Sequence, residues 1–187
     1  MAEYVYSRQL LTANEQRTAR ASRFKIEDGR CQGVGNVKGV AAEFNFSVDP
    51  EAAFVVLSGF QCRIKQIGWE VCQNSWLPWD WYEDWVSTPG KRGRLVKAVT
   101  VGYVGRLKNA AHPGFRACDL LVMAAPPNED VVAKSEGVYA CVELRGEVTR
   151  GQMVCDWRHK LQKKPNVDVV LELNMDRARL MFEQMLL

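Results

Sequence analysis

The sequence is poor in the residues that build metal and redox centres. It has only two histidines, His112 and His159, and its six cysteines, at 31, 62, 72, 118, 141 and 155, form no CxxC pair. That spacing excludes a zinc finger and a thioredoxin-like motif. No window is apolar enough to cross a bilayer, and the opening run MAEYVYSRQLLTANEQRTAR lacks the apolar core of a secretory signal. Reduced thiols in a cytoplasmic setting, with no membrane partner, are therefore expected. Charge of one sign is scarce too. The net charge is +3, and acidic residues are interspersed with basic ones, so no nucleic-acid partner is expected. Lys160, Lys163 and Lys164 make a small basic patch that reads as a solvated loop.

What is present fits one ordinary globular domain of 187 residues. Residues 1–32 are polar and read as an unrelated, poorly tied-down leader, with a short helix over 9–23. Residues 33–187 form the domain proper. Its organising stretch is GVGNVKGVAAEFNFSVDPEAA, residues 33–53. Glycines flank Asn36, and Glu43 and Asn45 stand two apart. On a strand, that spacing puts both side chains on one face. A carboxylate accepts hydrogen bonds and an amide both accepts and donates, so the pair can grip neighbouring sugar hydroxyls. The same residues also suit a strand–turn–helix inside a core. Asp49 followed by Pro50 reads as an N-cap with proline at the first helical position.

The spacing predicts a strand over 43–47, a helix over 49–58 and a second strand over 62–71. This is the βαβ order of a parallel sheet. Residues 77–86, LPWDWYEDWV, are the most aromatic stretch. Trp81 and Trp85 lie four apart, as on one helical face. A stacking platform for a base, an interface patch and core packing all account for it. Residues 87–94 read as a turn-rich loop, 95–104 suit either helix or strand, and 111–114 form a loop around His112. Asp119 precedes an apolar run and reads as a helix N-cap, with Cys118 a small buried hydrophobe. Strands are predicted over 137–144 and 152–157, joined by a turn over 145–151, and again over 167–173. Asn174 or Asp176 then caps a terminal helix.

Two runs carry a resemblance. GNVKGVAAEFNFSVDPEAA resembles the ribose-binding segment of the inosine–uridine-preferring nucleoside hydrolases. VELRGEVTRGQMVCDWR resembles that family's carboxy-terminal V-E-x-x-G-x-x-T-R-G-x-x-V-x-D-W run. The resemblance implies an α/β chain carrying part of the nucleoside-hydrolase fold, a mainly parallel Rossmann-like sheet with flanking helices. It implies that Asn36, Glu43 and Asn45 bind ribose, that Asp119 is a calcium ligand, and that Cys118 stands on the leaving-group side where the family usually has histidine. A thiol is a poorer proton donor than imidazolium. An aromatic segment borders the family's base pocket, which makes 77–86 a candidate there.

The implied reaction is hydrolysis of the N-glycosidic bond of purine and pyrimidine ribonucleosides. The sequence contains no DxDxxxDD-like run, which in the family holds calcium and supplies the base. The expectation is therefore a chain corresponding to the carboxy-terminal half, doubtful as an enzyme by itself. The alternative is a truncated form acting as a binding or interaction module. An uncovered sheet edge also favours a homo-oligomer.

Overall fold

The computed structural model describes residues 5–7, 41–126 and 129–187. Asn36 and the helix expected over 9–23 lie outside the described residues. The elements run β1 (Val5–Ser7), α1 (Phe44–Val48), α2 (Pro50–Gly59), β2 (Ile64–Ile67), α3 (Trp69–Asn74), β3 (Leu77–Pro78), α4 (Trp79–Val86), α5 (Lys91–Asn109), β4 (Gly114–Phe115), α6 (Cys118–Ala124), a 3-10 turn (Glu129–Val131), β5 (Val132–Val138), β6 (Ala140–Val142), β7 (Met153–Cys155), β8 (Val167–Leu173) and α7 (Met175–Leu186). They form two compact units. The first comprises Met1–Val71 and Lys134–Glu172, and the second Cys72–Ala133 and Leu173–Leu187.

The first unit is built on a four-stranded sheet in the order β1-β2-β8-β5, in which β1–β2 and β2–β8 are parallel. Every residue of β2 is buried, as an inner parallel strand covered on both faces requires. Ile64 and Ile67 supply its apolar contacts, and Val169 and Val170 of β8 are fully buried beside it. Strand β1 falls inside the stretch read as a leader. A short antiparallel hairpin, β6–β7, pairs Ala140 with Cys155 and Val142 with Met153.

One side chain ties this unit together. The Asn166 amide oxygen accepts from Ala140 N–H at 2.7 Å, and its nitrogen donates to the carbonyls of Leu57 (2.7 Å) and Ala140 (2.9 Å). It therefore joins the end of α2, the hairpin and the entry to β8.

The second unit is an aromatic cluster. Tyr82, Trp85, Phe115 and Phe182 are all buried. Trp85 Nε1 donates to the carbonyl of Phe182 at 2.7 Å, and the Tyr82 hydroxyl lies 2.6 Å from that of Thr100. These bonds join α4 to α7 and to α5. Truncating an aromatic so buried costs about 3–5 kcal/mol.

Several expectations change. Residues 43–47 are not a strand. Glu43 is extended (φ −84°, ψ 159°) and acts as the N-cap of helix α1. Phe44, Phe46 and Val48 mimic strand alternation in sequence. A strand would put all three on one face, yet Phe46 is 3% exposed while Phe44 and Val48 are 58% and 67% exposed. The helix stops at Asp49 because a residue before proline is driven out of the α region; Asp49 has φ −144° and ψ 81°. Its side chain then caps α2, accepting from Ala52 N–H at 2.9 Å, as expected. With the first strand lost, 43–71 is no βαβ unit.

The second strand is shorter than predicted, because Trp69 already begins α3. Residues 95–104 belong to the long helix α5, which starts inside the predicted loop. Gly93 permits that start, since a Cβ there would lie 2.2 Å from the Thr88 carbonyl oxygen. Strand β8 falls where expected, and Asn174 caps α7, accepting from Arg177 N–H. The strand expected over 137–144 is split: residues 137–138 end β5 of the four-stranded sheet, and Ala140–Val142 form β6 of the hairpin with β7.

Two stability outcomes follow. Asn166→Ala removes the side-chain partner of three part-buried backbone groups, on Leu57 and Ala140, and is expected to cost about 2–4 kcal/mol in urea unfolding. Gln66 is fully buried in β2, and neither amide atom has a hydrogen-bond partner among the described residues. Gln66→Met removes that desolvated amide at similar volume and is expected to raise stability by about 1 kcal/mol in the same assay.

Candidate functional site

Glu43 is 2% exposed, and its Oε1 accepts the Trp69 backbone N–H at 2.8 Å. The first amides of a helix have no intrahelical acceptor. Glu43 thus precedes the first residue of α1 and supplies an acceptor to the first residue of α3. Asn45, in the first turn of α1, is exposed. The two do not share a strand face as the spacing predicted. Instead they straddle a helix start, the carboxylate buried and the amide open to solvent.

The run that resembles the family's carboxy-terminal signature closes the β6–β7 hairpin. Glu143 N–H donates to Gln152 O at 2.8 Å, extending the ladder. The Glu143 carboxylate accepts from the N–H groups of Arg145 (2.7 Å) and Gly146 (2.9 Å). Arg150 donates to both Glu51 oxygens, at 2.7 and 2.9 Å, and to the Leu144 carbonyl at 2.6 Å. It is thus a paired charge, and the pair was not visible in the sequence because 99 positions separate its members. Downstream, Asp156 accepts from Lys160 N–H and Leu161 N–H, tying back the basic loop.

These contacts shift titrations. Backbone N–H groups of Arg145 and Gly146 hold Glu143 below the usual carboxylate range. Arg150 does the same for Glu51, and the Leu161 amide, followed by that of Lys160, for Asp156. The Tyr139 hydroxyl, 2.9 Å from Lys163 Nζ, raises the lysine. Burial raises the Cys141 thiol.

Cys118 and Asp119 open α6 in the second unit. The N-cap is Ala117, so Asp119 is not the cap the sequence predicted. It lies within the first turn, where a carboxylate complements the helix N-terminus. Asp119 is exposed and Cys118 is 7% exposed. No disulfide joins the five cysteines among the described residues.

Among the described residues, no three His, Cys, Asp or Glu side chains are grouped to hold a metal ion. Calcium takes about six to eight oxygens, and Asp119 is followed along α6 by LLVMA, which offers none from side chains. The residues described do not fit that ion. Asp80 and Glu83 are engaged elsewhere, with Trp81 N–H and Lys108 respectively.

Of the three readings of the tryptophan stretch, core packing is the one that the observed contacts support. Trp81 stacks on Trp85 at 5.2 Å and donates to Glu183. Trp76 stacks on His112 at 5.0 Å, with the Arg116 guanidinium 4.4 Å from its centroid.

The lowered carboxylates set a pH dependence. A group whose folded pKa is depressed stabilises above its unfolded pKa, near 4, and loses that contribution as pH falls through the folded value. The first unit is therefore expected to lose stability as pH falls below about 4. Glu143→Gln is expected to flatten that acid limb in urea melts recorded across the range.

Comparison with known proteins connects these features. The model of the family described as inosine-uridine preferring nucleoside hydrolase matches residues 9–179, reaching into the stretch read as a leader. The non-specific ribonucleoside hydrolase RihC of Escherichia coli O157:H7 (strain EC4115 / EHEC) is 32% identical over 135 residues, which cover 72% of this chain and 42% of that protein. Among solved structures, an inosine-guanosine nucleoside hydrolase superposes with a TM-score of 0.71 at 26% identity, covering 82% of this chain and 48% of the other. A purine-preferring ribonucleoside hydrolase from Gardnerella vaginalis shares the fold, with a TM-score of 0.70 at 22% identity, covering 83% and 48%. The chain thus spans less than half the length of these relatives. With two sequence signatures, the α/β fold and a match over most of its length, the chain belongs to the inosine–uridine-preferring nucleoside hydrolase family.

Proposed function

We propose that this chain supplies the ribose-holding part of a nucleoside hydrolase site. The reaction it serves is hydrolysis of the N-glycosidic bond of purine and pyrimidine ribonucleosides. The observation that supports this most is Glu43, buried and held by the Trp69 amide, beside the exposed amide of Asn45 at the same helix start. In a family that cleaves ribonucleosides, those groups are suited to the sugar hydroxyls, and Asn36 belongs to the same reading. A fixed carboxylate binds a hydroxyl without the entropy cost of being ordered at the moment of binding.

Binding is not acceleration, because contacts equal in substrate and transition state leave the chemical step unchanged. The described residues offer no grouped carboxylates for calcium, so no hydrolytic step is assigned through it. Asp119 would be one metal ligand, and Cys118 would face the leaving base.

A second reading, a binding or interaction module that pairs with another chain, is favoured by Phe44 and Val48. They lie one turn apart on α1 and are largely exposed. Self-association belongs to that reading. No helix among the described residues is long and apolar enough to cross a membrane. A cytoplasmic setting without nucleic-acid or membrane partners completes the proposal.

The test is calorimetric titration of the chain with inosine and uridine, alongside a turnover assay at saturating calcium. Binding is expected without measurable turnover. Glu43→Gln and Asn45→Ala are each expected to weaken binding about tenfold, the loss of roughly one hydrogen-bond increment. Turnover abolished by Asp119→Ala would show a complete site in this chain. Absence of binding by the folded wild-type chain would remove the ribose reading.

A further inference from the structure

The family reading gives roles to Glu43 and Asn45 but not to what holds them in place. Helix α1 has five residues, too few to be stable by itself, so its position must come from its neighbours. The structure places the signature turn directly against it. Gly151 is buried with φ +82°, and a Cβ there would lie 3.1 Å from the Phe46 carbonyl oxygen, 3.3 Å from Ser47 Cα and 3.4 Å from Ala42 Cβ. Only glycine combines that backbone conformation with so close an approach. The contact falls on both sides of the candidate pair, at Ala42 before Glu43 and at Phe46–Ser47 after Asn45.

The turn that carries Gly151 is itself fixed. Its N–H donates to Glu143 O at 2.7 Å, and Arg150 N–H donates to Gly146 O at 2.9 Å. Gly146 sits so close to Thr149 that a Cβ would meet its hydroxyl oxygen at 2.0 Å. The forked Arg150–Glu51 pair then fastens the same turn to α2, the helix that follows α1.

We infer that the Glu143–Gly151 turn is a positioning clamp, with Gly151 and Arg150 setting where Glu43 and Asn45 stand. The turn acts through α1. The inference rests on the ribose-holding reading for its functional consequence, but its geometry can be tested independently. The Trp69 amide reports on Glu43, because it donates to that carboxylate.

The experiment compares the full chain with Gly151→Ala and Arg150→Ala. It follows the Trp69 amide by nitrogen–proton NMR and hydrogen exchange, and inosine affinity by calorimetry. The Val169 and Val170 amides of β8 serve as controls for the core. In Gly151→Ala, the Trp69 resonance is expected to move and its exchange to quicken about tenfold while the β8 amides hold. Inosine binding is expected to weaken about tenfold. Arg150→Ala, which strains no backbone, should move Trp69 in the same direction by less, and Arg150→Lys should restore part of the change. If Gly151→Ala does not fold, Arg150→Ala decides alone. A Trp69 amide unchanged in a folded variant overturns the clamp. If wild type binds no inosine while the amide responds, the clamp stands and the ribose reading fails.

Discussion

The first unit depends on the amide of Asn166. A planar group with one acceptor and two donors is matched to three backbone groups from α2 and β6. Backbone polar groups at the ends of elements must find partners or lose free energy comparable to a hydrogen bond each. Asn166 gathers such ends into one place. From it the order passes outward. Strand β6 is held, the hairpin closes on the Glu143 turn, and Gly151 at the end of that turn rests on α1. Asp49 and Pro50 then fix where α1 gives way to α2. The candidate ribose residues stand at the end of this series, and none of its members is near Glu43 in sequence except Asp49 and Pro50.

Much of this was legible. The Asp49-Pro50 start, the hairpin, β8 and the Asn174 cap are local signals, set by residues within a few positions of one another. The family runs were legible as wholes. The failure at 43–47 has a physical cause. Alternating Phe44, Phe46 and Val48 carries strand propensity, yet propensity yields to tertiary context. Here the context is a glycine over a hundred positions downstream, pressed against the α1 backbone. The Arg150–Glu51 pair and the Trp69–Glu43 bond were hidden for the same reason. For Cys118 and Asp119 the helix was expected, but its cap was assigned two residues late, because Ala117 offers no capping side chain to betray it.

Glu43 illustrates how one carboxylate can answer to two demands. Burial makes a charge costly unless it is paired or hydrogen-bonded. The Trp69 amide meets part of that demand, and it also fixes where the oxygens stand. The contact that stabilises Glu43 is thus also the one that orients it.

The central sheet has a consequence for how the chain is made. Strand β2 pairs with β8, and Arg63 at its edge bonds Asp168 across 105 positions of chain. Parallel pairing of this span cannot begin until the later strand exists, and its loop-closure cost falls due before any contact offsets it. At translation rates of about 5–20 residues per second, β2 waits on the order of ten seconds for its partner. Through that interval Ile64 and Ile67 have no β8 to bury them. The nascent first unit therefore keeps the apolar side chains of β2 without their β8 partners until residue 173 has been made.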